Sequence, residues 1–143
     1  MKMNSTDFIK SEPFLSPQSV GAGTTNTTGL DLKDADDALI TLYVGTMAAT
    51  ATVVAKLQES ETVGGTYTDI ATSTLSIDQA VGTPGDTLYQ WEVDCRLRKR
   101  FVRLNIVSAL AAALLSVEKQ LTKPRERPVT HSANSIVVAK LRN

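Results

Sequence analysis

The sequence predicts an all-β fold: a single β-sandwich, jelly-roll-like, with an extended N-terminal arm and an extended C-terminal arm. Two observations predict it. The middle of the chain, residues 24–122, is rich in threonine and other β-branched residues, which favour strands. Short stretches that alternate apolar and polar residues recur there, and turns separate them about every 8–12 residues, as in sandwich domains.

The first half of this segment contains two clear strand patterns. An apolar run over residues 39–44 follows an acidic turn at 34–37 and predicts a buried strand. Residues 51–60 alternate, with one set of apolar side chains on one face and polar side chains on the other. The pair Gly64–Gly65 then predicts a hairpin turn.

The second half contains three more. Residues 75–77 predict a short strand that ends at a Gly- and Pro-containing turn, 82–85. Tyr89 to Asp94 alternate aromatic or aliphatic residues with polar ones, the pattern of a half-buried strand. Residues 101–108 continue the same alternation and predict a further strand.

Residues 108–121 fit two interpretations. The alanine- and leucine-rich run 109–115 favours a helix by residue type. The segment continues from a predicted strand without an intervening Pro or Gly, and Leu115 and Val117 alternate with polar residues, which favours a strand. We expect a strand and keep a helix as the alternative.

Residues 1–23 form the predicted N-terminal arm. Pro13 and Pro17 interrupt any regular period, yet Phe8 and Phe14 are apolar anchors that a disordered tail would lack. We therefore expect the segment to lie extended against a partner.

Residues 123–143 form the predicted C-terminal arm. The segment carries five cationic residues and one acid, and its apolar run Ile136, Val137 and Val138 is too short to form a core of its own. Apolar arms of this kind cover the sheet edges of neighbouring subunits by strand addition.

Composition excludes several classes of function. Lys and Arg number 15 and Asp and Glu number 15, so the net charge is zero and we expect no nucleic-acid partner. The apolar stretch 109–115 is far shorter than the roughly 20 residues that span a bilayer, so we expect no membrane association.

The chain has one cysteine, Cys95, and one histidine, His131. An intrachain disulfide and a multi-histidine metal site are therefore excluded, and any catalytic relay with a histidine base must use His131. Because that residue lies in the predicted arm, which is a poor platform for catalysis, we expect no enzyme activity and no cofactor.

The acidic segment raises the question of calcium. Asp34, Asp36 and Asp37 lack the central glycine and terminal glutamate of an EF-hand loop. We expect a solvated turn, and a weak carboxylate calcium site is the alternative.

Five cations lie within eight residues that contain no acid: Arg96, Arg98, Lys99, Arg100 and Arg103. Arginine pairs well with carboxylates, so this cluster predicts docking onto an acidic protein surface. A solvated loop that leads into a strand is the alternative.

Four stretches carry a resemblance: residues 53–60, 64–70, 100–106 and 123–128. Their order resembles the jelly-roll decoration (cement) proteins, minor structural proteins of the capsid of tailed bacteriophages. The resemblance covers residues 38–128. It implies a structural role in a virus particle, often as a trimer, and no catalytic residue carries over.

The sequence therefore predicts a non-catalytic virion protein that binds the outer capsid surface and stabilises the head by bridging capsomers. Its expected partners are the major capsid protein and itself, as a homotrimer, and it would be made in the host cytoplasm. The residues expected to contact partners are Arg98, Lys99, Arg100, Phe8, Phe14, Ile136, Val137 and Val138. The alternative is a carbohydrate-binding or adhesion module in which Tyr67, Tyr89 or Trp91 stacks on a sugar ring.

Overall fold

A computed structural model describes residues 9–79 and 86–122 of the chain. These ranges contain no α-helix, and none of their segments is a helix of the length and hydropathy needed to cross a membrane. A 3₁₀ turn lies at Cys95–Leu97. The strands are β1 (Ile9–Val20), β2 (Gly23–Asn26), β3 (Leu30–Asp31), β4 (Asp37–Met47), β5 (Thr52–Ser60), β6 (Thr68–Asp69), β7 (Leu75–Asp78), β8 (Thr87–Asp94), β9 (Phe101–Ala109) and β10 (Ala113–Thr122).

The strands form two antiparallel sheets that pack face to face. Within the described residues, the first is four-stranded in the order β1-β10-β4-β8. The second contains β2-β9-β5, with β3 also paired to β9 and both β6 and β7 paired to β5. The pairs β1–β10, β2–β9, β4–β8 and β5–β7 are nested along the chain, as in a long hairpin rolled into two facing sheets. The predicted all-β, jelly-roll-like sandwich is confirmed.

One hydrophobic core lies between the sheets. Ile40 and Leu42 of β4 face Leu104 and Ile106 of β9, and all four side chains are fully buried. Most of β4 and β9 alternates between buried and more exposed residues because successive side chains point to opposite faces, although Asn105 of β9 is also buried. In β5, β8 and β9, the apolar residues of the alternation predicted from the sequence point towards this core. The apolar run predicted as a buried strand is β4, but only alternate residues of β4 are buried and Tyr43 is exposed.

The ambiguous segment is a strand. In β10, Ala113, Leu115 and Val117 point into the core, while Leu114 and Glu118 point outwards. The strand pairs with β1 on one side and β4 on the other. These two ladders and the burial of alternate residues outweigh the helix preference of its alanines.

The predicted N-terminal arm is partly sandwich. Its residues 9–20 form β1, an edge strand whose Phe14 and Val20 are buried in the core. The sandwich therefore includes residues before the boundary expected at residue 23. Register shifts fall between Pro13 and Leu15 and between Leu15 and Gln18, which explains why no period of two is visible there. Prolines and bulges are common devices that protect an edge strand from unwanted pairing.

The two ends of the sandwich differ in composition. At one end, three turns lie within residues 20–25, 45–51 and 107–113, which contain no charged residue; we call this the uncharged end for these turns, although Asp78 and Asp86, which flank the connection from β7 to β8, lie at the same end. The amide of Ala48 donates to the carbonyl of Ala112 at 3.1 Å, which joins two of these turns. At the charged end, residues 31–37, 60–67 and 94–101 meet.

Candidate interaction surface

Arg100, a predicted partner-binding residue, lies at the charged end against Asp31 of β3. Its Nε donates to Asp31 Oδ1 at 3.0 Å and its Nη2 to Oδ2 at 2.7 Å. This two-point pairing with the guanidinium lowers the pKa of Asp31, and the carboxylate raises the pKa of Arg100. A carboxylate of this chain therefore occupies the position in which the sequence predicts an acid of a partner.

Arg98 and Lys99 both approach Glu59, at the end of β5. Arg98 Nη1 lies 3.8 Å from Glu59 Oε2, and the backbone amide of Lys99 donates to the same oxygen at 3.1 Å. Arg96 Nε donates to Asp94 at 3.0 Å. The cluster contains no acid in its own run of sequence, but the fold brings acids from other strands against it. The guanidinium groups of Arg96, Arg98 and Arg100 thus pair with acids of the same chain, whereas Lys99 bonds Glu59 through its backbone amide.

The three rings that the sequence offers for sugar stacking are engaged within the chain. The Arg103 guanidinium lies 4.1 Å from the ring centroid of Tyr67, whose hydroxyl donates to the carbonyl of Val63 at 3.1 Å. Tyr89 and Trp91 are partly buried and pack against the core. Trp91 Nε1 donates to the carbonyl of Ser73 at 2.8 Å. Arg103 therefore covers one face of the Tyr67 ring, and the core takes up part of the surface of Tyr89 and Trp91.

Phe14 lies in the core with 7% of its surface exposed, and the Lys119 ammonium sits 5.1 Å from its ring centroid. Phe14 therefore offers little surface to a partner. The remaining predicted contact residues lie outside the described residues: Phe8, Ile136, Val137 and Val138. His131 also lies outside them.

Cys95 is buried at the charged end. Burial raises the pKa of its thiol to about 11, and the nearby carboxylates of Asp37, Asp94 and Asp36 add to the rise. The thiol is therefore protonated at neutral pH and a weak nucleophile. Over residues 9–79 and 86–122, no three Asp, Glu, His or Cys side chains converge as metal ligands would.

Exposed large hydrophobic side chains concentrate at or near the uncharged end. Tyr43 and Leu88 are directly opposite each other on β4 and β8, and Leu114 lies where β10 begins. In the part of the chain that the structure describes, five such residues lie here: Tyr43, Leu88, Val107, Leu110 and Leu114. The charged end exposes two, Val63 and Leu97.

Leu110 is the most exposed of them, with 77% of its surface accessible. It lies in the turn between β9 and β10 with a φ of 67°, in the left-handed region. That conformation costs a residue with a Cβ about 1–2 kcal/mol, and glycine or asparagine is the usual occupant. Within its own chain the exposed leucine gains little burial to offset this strain, and strained positions of this kind cluster at functional sites.

A groove of about 530 Å³ lies on the four-stranded sheet, between residues of β1, β4 and β10. Pro17, Tyr43 and Leu114 line it together with Gly45, where an added Cβ would lie 3.3 Å from Leu114 Cβ. Asp86 is the one charged residue among the described residues that line it. The Tyr43 hydroxyl donates to Asp86 at 3.0 Å, and this hydrogen bond raises the pKa of Tyr43.

Sequence reasoning did not single out Leu88, Leu110 and Leu114, whose side chains are exposed in the structure. The sequence signal for this end was the absence of charged residues from three separate turns, in a chain whose residues are 21% charged. The apolar run at 109–115 has the composition of a continuous strand or helix. Its leucines Leu110 and Leu114 instead lie at a turn and on an outward face.

Comparisons with known proteins extend the description of the fold. No family model and no curated protein matches the chain. The crystal structure of PBSX exported protein XepA is similar over 92% of this chain, with a TM-score of 0.56 and 12% identity. The chain spans 43% of that protein's length. A Bacillus endospore appendage protein, from disulfide-linked pili, aligns with 80% of this chain and 88% of its own, with a TM-score of 0.44 and 18% identity. The chain thus shares its β-sandwich fold with XepA.

Proposed function

We propose that the chain is a non-catalytic structural component of a bacteriophage-type particle, of the capsid decoration kind. Its proposed partners are the major capsid protein and other copies of itself, and its proposed location is the surface of the virion. In this role the protein stabilises an assembly by binding to it, because a ligand that binds only the assembled state shifts the equilibrium towards that state.

The uncharged end is the observation that carries the proposal. Monomeric soluble proteins seldom keep several large apolar side chains together in water, and larger exposed patches mark binding surfaces. Leu88, Leu110 and Leu114 lie at or near one end, next to turns without charge. Burial of each side chain would contribute about 1.5–3 kcal/mol before the entropy of association is subtracted.

The chemistry of the two ends supports the same choice of surface. Charged residues are depleted from the centres of protein interfaces because they must be desolvated there. The turns within residues 20–25, 45–51 and 107–113 carry no charge to desolvate, whereas Asp78 and Asp86 are acids at the same end. At the charged end, docking would compete with pairs that already exist, such as Arg100 with Asp31 at 2.7 Å.

The fold is compatible with this role. Jelly rolls occur in viral capsid proteins, although a fold alone does not establish a function. The resemblance of residues 38–128 to phage decoration proteins points to the same class. The prolines and bulges of β1 also suit a protein that must associate through one surface without pairing at every edge.

Electron microscopy of particles tests the proposal. Phage-type particles from a culture that produces the chain are purified on a density gradient and labelled with gold-conjugated antibody against the full chain. We expect gold on the particle shell and the chain in the particle fraction. Recovery of the chain only from the soluble fraction, with unlabelled particles, would contradict the proposal.

A further inference from the structure

We propose that a groove at the charged end of the four-stranded sheet holds the segment of this chain that follows β10, residues 123–127, with the cations of the segment against the acids of the groove. The contact lies within one chain, so it does not depend on the proposed function. Three features support it: the place where β10 ends, the course of the groove, and the charges of segment and groove.

The groove crosses three strands. It has a volume of about 500 Å³, and the described residues that line it belong to β4, β8 and the end of β10. Asp37 of β4 is the cross-strand neighbour of Thr122 on one side and of Asp94 on the other. Leu39, further along β4, lies opposite Glu92. The groove therefore leads from the last residue of β10, over β4, to β8.

The chain leaves β10 at this groove. Thr122 is the last residue of the strand and lines the groove, and its hydroxyl donates to the carbonyl of Asp37 at 3.2 Å. Neighbouring strands are about 4.8 Å apart, so β8 lies roughly 10 Å from Thr122. An extended chain advances about 3.3–3.6 Å per residue, so about three residues suffice to cross. Pro124 cannot donate a backbone hydrogen bond, which favours a turn away from the β10 ladder over its continuation.

The charges of the segment follow the period of an extended chain. Its sequence is Lys123-Pro124-Arg125-Glu126-Arg127-Pro128. Lys123 and Arg127 each precede a proline, which favours an extended backbone at both positions. Alternate residues of an extended chain share a face. An extended segment therefore presents its three cations on one side and Glu126 on the other.

The groove presents the opposite charge. The described residues that line it include three acids, Asp37, Glu92 and Asp94, and no lysine or arginine. Glu92 is exposed and takes part in none of the ion pairs among the described residues. Asp94 already pairs with Arg96 at 3.0 Å, so Glu92 gains more from a further cation. Burial, and next the carboxylates of Asp37 and Asp94, raise the pKa of the Cys95 thiol, which indicates negative potential beside the groove.

The covalent connection favours this segment over a basic segment of another molecule. Each exposed ion pair contributes little by itself, so an untethered peptide of the same charge would bind weakly. Residues 123–127 are joined directly to Thr122 on the rim of the groove. A group attached in this way acts at an effective concentration in the millimolar range.

Zero-length cross-linking of the full chain tests the contact. A carbodiimide joins an amine to a carboxylate only where the two groups touch, and Lys123 supplies the amine. The variant Arg125→Lys keeps the charge and supplies a second amine. We expect peptide mass spectrometry to find Lys123 joined to Asp37, and position 125 of the variant joined to Glu92 or Asp94. In a mixture of unlabelled and ¹⁵N-labelled chains, we expect these cross-linked pairs to carry a single label, because the contact lies within one chain.

A matched pair of variants measures the contribution of Glu92. Trypsin does not cut before proline, so within residues 123–128 it cuts only the Arg125–Glu126 bond. Its rate at this bond follows the population of undocked segment. We expect Glu92→Gln to raise that rate roughly 2–5-fold relative to cleavage after Lys140 in the same chain. Glu61→Gln removes an exposed acid from the turn after β5, in the other sheet, and we expect it to leave the rate unchanged.

The inference is overturned if Lys123 cross-links only to acids outside the groove or to none, or if the cross-linked pairs carry mixed labels. It is also overturned if Glu92→Gln and Glu61→Gln are cleaved at the same rate. Each of these results leaves the proposed function in place, because that function is argued from the exposed leucines of the uncharged end.

Discussion

The charged and uncharged ends of the sandwich share one core but use their turns differently. At the charged end, Asp31, Glu59 and Asp94 hold the arginines that follow β8, and the turns are bonded to one another. At the uncharged end, small residues form the turns and Leu110 stands in solvent in a strained conformation. Charge density alone favours an interaction surface at the first end. The contacts favour the second, because a charge that is already paired within the chain has less to gain from a partner.

The largest expected effect tests whether the two ends depend on one core. Leu104 is fully buried in β9, and Leu104→Ala should lower the free energy of unfolding by about 2–5 kcal/mol. Because one core supports both ends, amide exchange should accelerate at both ends together. Val107→Ala on the outward face of the same strand is the control and should change stability by about 0.5 kcal/mol or less. Faster exchange confined to one end would mean that the ends are independent units.

A second prediction concerns the thiol of Cys95, which lies near the acids of the charged end, and is tested by unfolding at high pH. The pKa of the Cys95 thiol is raised from an ordinary value of 9.0 to about 11 in the fold. The folded state therefore binds the thiol proton more tightly than the unfolded state does. The resulting contribution to the free energy of unfolding is fully present below about pH 9 and is lost as the pH rises towards 11. Denaturant unfolding at about pH 8 and about pH 10.5 should show a loss on the order of 2 kcal/mol relative to Cys95→Ala. Equal pH dependence of the two proteins would show that the thiol is not shielded.

A smaller effect tests the strain at the uncharged end. Leu110→Gly should raise the free energy of unfolding by about 0.5–1 kcal/mol, because glycine adopts positive φ without strain and this gain exceeds its larger entropy loss. Leu97→Gly, at a similarly exposed leucine of the charged end, should lower stability. Thermal unfolding of both variants makes the comparison. Destabilisation by Leu110→Gly would show that Leu110 already supports the fold of its own chain.

The sequence predicts those parts of the molecule in which one strand face is buried and the other is not. The alternation of β5, β8 and β9 and the jelly-roll class are read directly from it. β1 is not predicted as a strand because two prolines and two register shifts remove its period of two. β10 is ambiguous because the alanines at its start favour a helix in isolation. The proposed interaction surface is not predicted by the sequence for a different reason. Arg100 and Asp31 are 69 residues apart, and the φ of Leu110 leaves no mark in the sequence, so both facts require the fold.

The most direct test asks which end of the sandwich the chain needs for its incorporation into particles. One variant carries Leu110→Ser and Leu114→Ser at the uncharged end, and the other carries Arg98→Ser, Lys99→Ser and Arg100→Ser at the charged end. Both are checked for thermal unfolding, and the amount of chain in gradient-purified particles is then quantified by mass spectrometry. We predict that the leucine variant is lost from particles roughly 10-fold or more, while the charged-end variant is incorporated like the unmodified chain. Loss of the charged-end variant with normal incorporation of the leucine variant would contradict the assignment of the interaction surface to the uncharged end.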